Sequence, residues 1–336
     1  MKGLKTKMFG KNVLVALIII LAISSTAIMV HAQSATDSAT GTVTVGNAAP
    51  TVASVEAVDA SYSLVTAFTP DNTAIFGINA TVTDSNTLSD LSYVTFYLYD
   101  NSIHSGDYNV ASPNGYDLIT LNWTESTDSW VLNQGSFTEW TEQSSVDPGT
   151  ASGGSSFEFT ARFDISRAAY ADTDWRFSVT AVDDQAASNT ASVGSDHEME
   201  VYFEISWSAS TFAWGSVSTS SSNNIMLANR TLTIRANTQW ELQLNGSDFT
   251  AGGEADEDLQ TQDMVTWDED GVVGGNSFFL RNALTTGLGT WDNQARMTAT
   301  ETPFSRDIHL WFQETGDLTP DVEYSITVWV VLQANV

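Results

Sequence analysis

Trp175-Arg176-Phe177-Ser178-Val179-Thr180-Ala181 carries an apolar side chain at every second position, with polar residues between them. A period of two sends successive side chains to opposite faces, so this stretch reads as a strand with one face in a core and one toward water. The pattern repeats outward from it. On the N-terminal side lie Phe157, Phe159, Ala161 and Phe163, then Val94, Phe96 and Leu98, then Phe76, Ile78, Ala80 and Val82. A first strand is expected near Val52 to Val58, and Met199, Val201, Phe203 and Ile205 continue the alternation on the C-terminal side. Asn122–Trp123 and Trp130–Leu132 are further strand candidates, and Ser144 to Ser156, with Pro148 and three glycines, reads as a loop. No comparable 3.6-residue period runs through these residues. The expected fold class is therefore all-β, with a β-sandwich spanning residues 51–205.

The C-terminal part repeats the theme with Leu232 and Ile234, Trp240, Leu242 and Leu244, Phe278 and Leu280, Ile308, Leu310 and Phe312, and Tyr324 through Leu332. A second β-sandwich is expected over residues 206–336. Before the first strand, Gln33 to Gly41 is a Ser/Thr/Ala/Gly tether. Thr42-Val43-Thr44-Val45 is a short β run that Gly46 to Pro50 interrupts, so residues 33–50 form a tether with an orphan strand.

The first 32 residues read as an address. Lys2, Lys5, Lys7 and Lys11 precede an apolar run from Val13 to Ile23, and Val30-His31-Ala32 offers small residues at a cleavage site. Basic, apolar, small is the order of a secretory signal peptide. An uncleaved anchor is the rival, because Val13 to Val30 approaches the length of a membrane span. Cleavage places the mature protein outside the cell, secreted or on the surface. All lysines fall within the signal, so the remainder carries eight arginines against 41 acids, a net charge of −33. So acidic a chain excludes nucleic-acid binding through phosphate contacts and favours divalent cations. With 0 cysteines, stability must come from burial, and 11 Trp, 9 Tyr and 16 Phe supply it.

Three segments carry a resemblance. Thr42 to Val52 resembles the junction between tandem immunoglobulin-like domains of bacterial and archaeal surface proteins. Val82-Thr-Asp-Ser-Asn-Thr-Leu-Ser-Asp-Leu is similar to the turn after the second strand of such domains, and Asp174 to Asp184 to their penultimate strand. The resemblance covers about residues 42–205 and implies an immunoglobulin-like sandwich in a surface setting. Residues 212–336 are more loosely similar to β-sandwich modules of secreted envelope proteins, through Trp214 to Val217 and Asn237 to Leu242.

In an immunoglobulin-like sandwich the turns after the second and sixth strands share a pole with the N-terminal linker. That brings Asp84, Asn86 and Asp90 toward Asp183 and Asp184. Clustered carboxylates with an asparagine suit calcium, which takes six to eight oxygens. The plainer alternative is that Asp84 and Asn86 only make turn hydrogen bonds. Asn79, Asn122, Asn229 and Asn245 each begin Asn-x-Ser/Thr and are glycosylation candidates, Asn79 by facing outward on its strand. Thr42 to Val45 is a candidate donor strand: inserted into another subunit's sheet, it would give head-to-tail growth of a filament. Tyr93, Tyr97 and Tyr99 share one strand face, where they either stack on sugars or pack under the 100–154 insertion.

Catalytic signatures are missing. His104, His197 and His309 stand isolated, without a nucleophile elbow, a zinc-ligand pair or a phosphate loop. The expectation is a non-catalytic structural or adhesive surface protein, self-associating by strand addition and free of the membrane once the signal is cleaved. A carbohydrate-binding module acting on surface glycans is the alternative, and a secreted glycoside hydrolase stands third.

Overall fold

The alternating runs become strands in the computed structural model of the chain. The structure describes residues 46–336 except 72, 137, 151–152, 194, 217–223, 226, 248–249, 252–253, 256–264, 269–277, 280–295, 298–302, 313–321 and 335–336. The expected signal peptide over residues 1–32, the Gln33–Gly41 stretch of the tether and the orphan strand Thr42–Val45 lie outside the described residues. The chain divides into Met1–Gly46 and Asn47–Val336, and every described strand belongs to the second unit.

Eleven strands build its first half: β1 (Thr51–Asp59), β2 (Ala67–Phe68), β3 (Ile75–Thr83), β4 (Leu91–Asp100), β5 (Leu118–Thr124), β6 (Ser129–Asn133), β7 (Thr141–Glu142), β8 (Ser156–Asp164), β9 (Asp172–Asp183), β10 (Ser188–Ser192) and β11 (His197–Met199). They form a four-stranded sheet, β1-β3-β8-β7, and a seven-stranded sheet, β2-β11-β9-β4-β5-β6 with β10 on β9. The central pairs are antiparallel, with Ile78 opposite Ala161 and Phe96 opposite Val179. Their apolar faces meet in one core, where Trp123 and Phe159 touch edge to face at 5.1 Å and Phe68 packs on Phe76 at 5.0 Å. Fully buried Trp123, Trp175, Phe96, Phe159, Phe163 and Phe177 supply the burial expected of a chain without disulfides.

The second half contributes β12 (Phe203–Trp207), β13 (Asn224–Ile225), β14 (Arg230–Ala236), β15 (Trp240–Gly246), β16 (Thr250–Ala251), β17 (Glu254–Ala255), β18 (Val265–Asp268), β19 (Phe278–Phe279), β20 (Phe304–Phe312), β21 (Tyr324–Ser325) and β22 (Val328–Ala334). Sheets β12-β14-β20-β18-β19, β15-β22 and β17-β16-β21 surround a second core of Leu232, Ile234, Trp240, Leu242, Ile308 and Leu310.

The alternating run from Met199 to Ile205 is not one strand. Met199 closes on β9, whereas Phe203 and Ile205 pair with Ala236 and Ile234 of β14 and pack on the second core. The chain changes sheets at Glu200–Tyr202, within a run whose alternation never breaks, so periodicity could not mark the crossing. Asn237, in the turn between β14 and β15 and fully buried, holds that crossing. Its Nδ2 donates to the carbonyls of Ala169 at 2.7 Å and Glu200 at 2.9 Å, and its Oδ1 accepts the Tyr202 N–H at 2.7 Å. Met297 is buried in the first core and its N–H donates to the Ala236 carbonyl at 2.8 Å, while the Arg296 guanidinium lies 3.5 Å from the Tyr170 ring centre. The two cores thus belong to one compact unit.

Candidate functional site

Two turns at one pole of the first sandwich create an acidic cluster. The chain leaves β3 at Thr83, passes Asp84, makes a 3-10 turn over Leu88–Asp90 and enters β4. The Asp84 N–H donates to the Ser155 carbonyl at 2.9 Å and the Leu88 N–H to that of Gly154 at 2.7 Å, which anchors the turn on the residues that lead into β8, the neighbour of β3 in its own sheet. The second turn follows β9. Asp183 Oδ1 accepts the N–H groups of Gln185 at 3.0 Å and Ala187 at 2.7 Å, an aspartate-led turn with Ala186 at φ 65°. One backbone bond joins the turns, from Asp184 N–H to the Asp90 carbonyl at 2.8 Å.

The result is that Asp84, Asp90 and Asp183 each place one carboxylate oxygen within 4.8 Å of the others, the one such acidic group among the described residues. Asp84 and Asp183 are 0% and 1% exposed. Asp84 Oδ1 accepts the Asn86 N–H at 2.7 Å, but its Oδ2 is buried without a hydrogen-bond partner, and so is Oδ2 of Asp90. Burial raises the Asp84 carboxyl above its ordinary value against the opposing pull of the Asn86 N–H, and Asp90 and Asp183 push it further up.

Like charges so placed are costly. At about 4.8 Å and an effective dielectric constant of about 20, each pair of carboxylates repels by roughly 3 kcal/mol. A divalent cation reverses the sign. Calcium holds its oxygens at about 2.3–2.6 Å, so two ligands of one ion lie no more than about 5 Å apart, and these three oxygens meet that limit. Three carboxylates and two unsatisfied oxygens are a fitting donor set for a hard cation.

Of the five metal-ligand candidates, Asp84, Asp90 and Asp183 come together. Asn86 stands beside them, tied through Asn47, and Asp184 contributes its backbone N–H while its side chain is exposed. The sequence reading missed Asn47. Its Nδ2 donates to Asp183 Oδ2 at 2.7 Å and its Oδ1 accepts from Asn86 Nδ2 at 2.9 Å. The break of alternation at Gly46-Asn47 was the available signal.

The glycosylation candidates differ in access. Asn79, read as outward-facing, is only 7% exposed, and its amide donates to Glu158 Oε1 at 3.3 Å. The face opposite the core is covered there by neighbouring side chains, which strand alternation cannot foresee. Asn122 is half-buried, accepting from Thr95 Oγ1 at 2.6 Å, and Asn229 is exposed before β14. Asn245 lies on β15, and its side chain is outside the described residues.

The tyrosine row is partly roofed. Tyr108, from the insertion after β4, stacks on Tyr99 at 4.4 Å and meets Tyr97 edge-on at 5.3 Å, and its hydroxyl is 2.9 Å from Ser178 Oγ. Tyr93 remains 39% exposed. His197 is buried between Phe68 and Phe177, and His104 is held by Asp117 at 2.7 Å and Asp107 at 3.4 Å. Asp100, whose N–H donates to the Asp117 carbonyl, is fully buried, with Oδ1 on Ser102 and Oδ2 unpartnered. No protein-family model matches the chain, and no curated protein matches it.

Proposed function

We propose that this chain is a non-catalytic extracellular structural or adhesive protein whose first sandwich is pinned at one pole by a bound calcium ion. The observation that carries the reading is the buried, unpartnered Oδ2 of Asp84 inside a three-carboxylate cluster. A buried charge persists when it is paired, and an ion from the surrounding medium is the partner this donor set fits. Neighbouring strands β1-β3-β8 against β5-β4-β9-β10 follow the sequence of an immunoglobulin-like sandwich, which supports the surface-domain reading. His197 packs between aromatic rings and His104 pairs with Asp117, uses that need no catalytic role for either.

The test is thermal unfolding of the chelator-treated protein as calcium is added. An ion at one hundred times its Kd stabilises by about 2.7 kcal/mol. For a unit this large that corresponds to roughly 4–5 °C in Tm. Asp183→Asn should abolish most of the shift. A wild-type Tm unmoved by millimolar calcium refutes the reading.

A second reading, polymerisation by strand addition, is favoured by β6. This strand ends the seven-stranded sheet, and its Val131 is 56% exposed. An outer strand offers unpaired backbone groups to Thr42–Val45 of another copy. Electron microscopy of secreted protein with and without residues 33–47 tests it. Filaments unchanged by the deletion, or none from the full chain, refute it.

A further inference from the structure

We infer that Asn47 is a fourth protein ligand of the cation, so that binding clamps the N-terminal end of the Asn47–Val336 unit onto the pole. The inference rests on the cation reading above and adds a residue from a different part of the chain.

The geometry is that of a reversible amide. Asn47 Nδ2 sits 2.7 Å from Asp183 Oδ2, so one end of this side chain already reaches the carboxylate cluster. Its other end, Oδ1, accepts from Asn86 Nδ2 at 2.9 Å. A side-chain amide presents a donor or an acceptor according to a half-turn about its terminal torsion, which is broad and roughly two-fold. Among three carboxylates without an ion, the donor end is favoured, because Asp183 Oδ2 accepts it. A divalent cation repels that N–H group and attracts a carbonyl oxygen. Turning Asn47 by half a revolution puts Oδ1, in place of the N–H group, beside Asp183 Oδ2, where it can join the carboxylates as a ligand. Turning Asn86 likewise lets its Oδ1 accept the Asn47 Nδ2, so no hydrogen bond between the two is lost. The heavy atoms keep their places. Asparagine oxygens are ordinary calcium ligands, and this one joins the three carboxylates toward the six to eight oxygens calcium takes.

The consequence lies at residues 47–50. Asn47 and Ala49 are exposed and Pro50 is buried, so the side chain of Asn47 is an outlying fastening for this end of the unit. With the ion bound, the fastening becomes a coordination bond.

Calorimetric calcium titration and amide hydrogen exchange, on wild type, Asn47→Ala and Asn47→Asp full chains, test this. For the wild type, exchange at residues 47–49 should slow at least tenfold when calcium is added. Asn47→Ala, at an exposed position, should fold normally by circular dichroism, bind calcium at least tenfold more weakly and lose the protection at 48–49. Asn47→Asp should bind more tightly than wild type. If wild type binds calcium while Asn47→Ala keeps either the wild-type affinity or the calcium-dependent protection, Asn47 is not a ligand and the three-carboxylate site stands. If wild type binds no calcium, both readings fall together.

Discussion

Asn237→Ala should separate what the native chain unfolds as one body. The side chain is fully buried and makes three hydrogen bonds to backbone, two donated to the carbonyls of Ala169 and Glu200 and one accepted from Tyr202 N–H. Truncation strands three backbone groups at the seam between the two cores. A buried group left unpaired costs about 1–3 kcal/mol. Glu200 and Tyr202 are both half-buried, so water can reach the Glu200 carbonyl and the Tyr202 N–H and those two shares are discounted. The total is then about 2–4 kcal/mol, which for a unit of this size corresponds to roughly 3–7 °C in Tm. The backbone bonds from Asn237 N–H to the Tyr202 carbonyl and from Ala171 N–H to the Asn237 carbonyl survive the substitution, so the halves stay adjacent but loosely held. Differential scanning calorimetry should show one transition for the wild type. For the variant it should show two, the first lowered by about that amount. Asn237→Asp keeps the acceptor but turns a charged oxygen toward two carbonyls, and should be worse. A single transition within about 2 °C of the wild type would refute the claim that Asn237 couples the halves.

Other substitutions probe the pole and the insertion. In chelator, the folded chain holds the Asp84 proton to higher pH than the unfolded chain, whose value is near 3.8. Stability therefore falls as pH rises above the unfolded value through the raised folded one, and Asp84→Asn, which binds no proton, gains on the wild type across that rise. A Tm difference independent of pH contradicts this, and calcium should narrow the gap by taking the proton's place. Gly135 has φ +66°, and a Cβ there would collide with the Pro113 carbonyl oxygen. Gly135→Ala should lower the urea midpoint by more than the strain of a left-handed residue alone, about 1–3 kcal/mol. Tyr108→Ala removes one stacked and one edge-on ring contact, worth about 1–3 kcal/mol together. Its urea midpoint should fall accordingly, whereas an unchanged midpoint shows that the tyrosine row does not depend on its roof.

Much of the fold was legible in order along the chain. Phe76 to Val82, Val94 to Leu98, Phe157 to Phe163 and Trp175 to Ala181 all became strands because alternation is a property of consecutive residues, and each buries the face its apolar members define. The acidic pole was partly legible. Asp84 and Asp90 flank one turn and Asp183 begins another, and the resemblance to immunoglobulin-like domains led to the expectation that those turns lie side by side. Two readings along the same strands went astray for one reason. Asn79 alternates outward yet is covered, and the run from Met199 to Ile205 alternates without a break yet serves two sheets. Neither the cover over a face nor the partner of a strand is written in its own period.

The amino-acid sequence by itself determined the all-β class, the inward face of each long strand and the acidic turns, because each follows from the spacing of neighbouring side chains. Only the tertiary structure decided that Asn47 meets Asp183 across 136 residues and that Asn237 meets Ala169 across 68. Such meetings depend on how sheets register and pack, and a hydrogen bond a few ångströms long is set by that register and not by any local pattern.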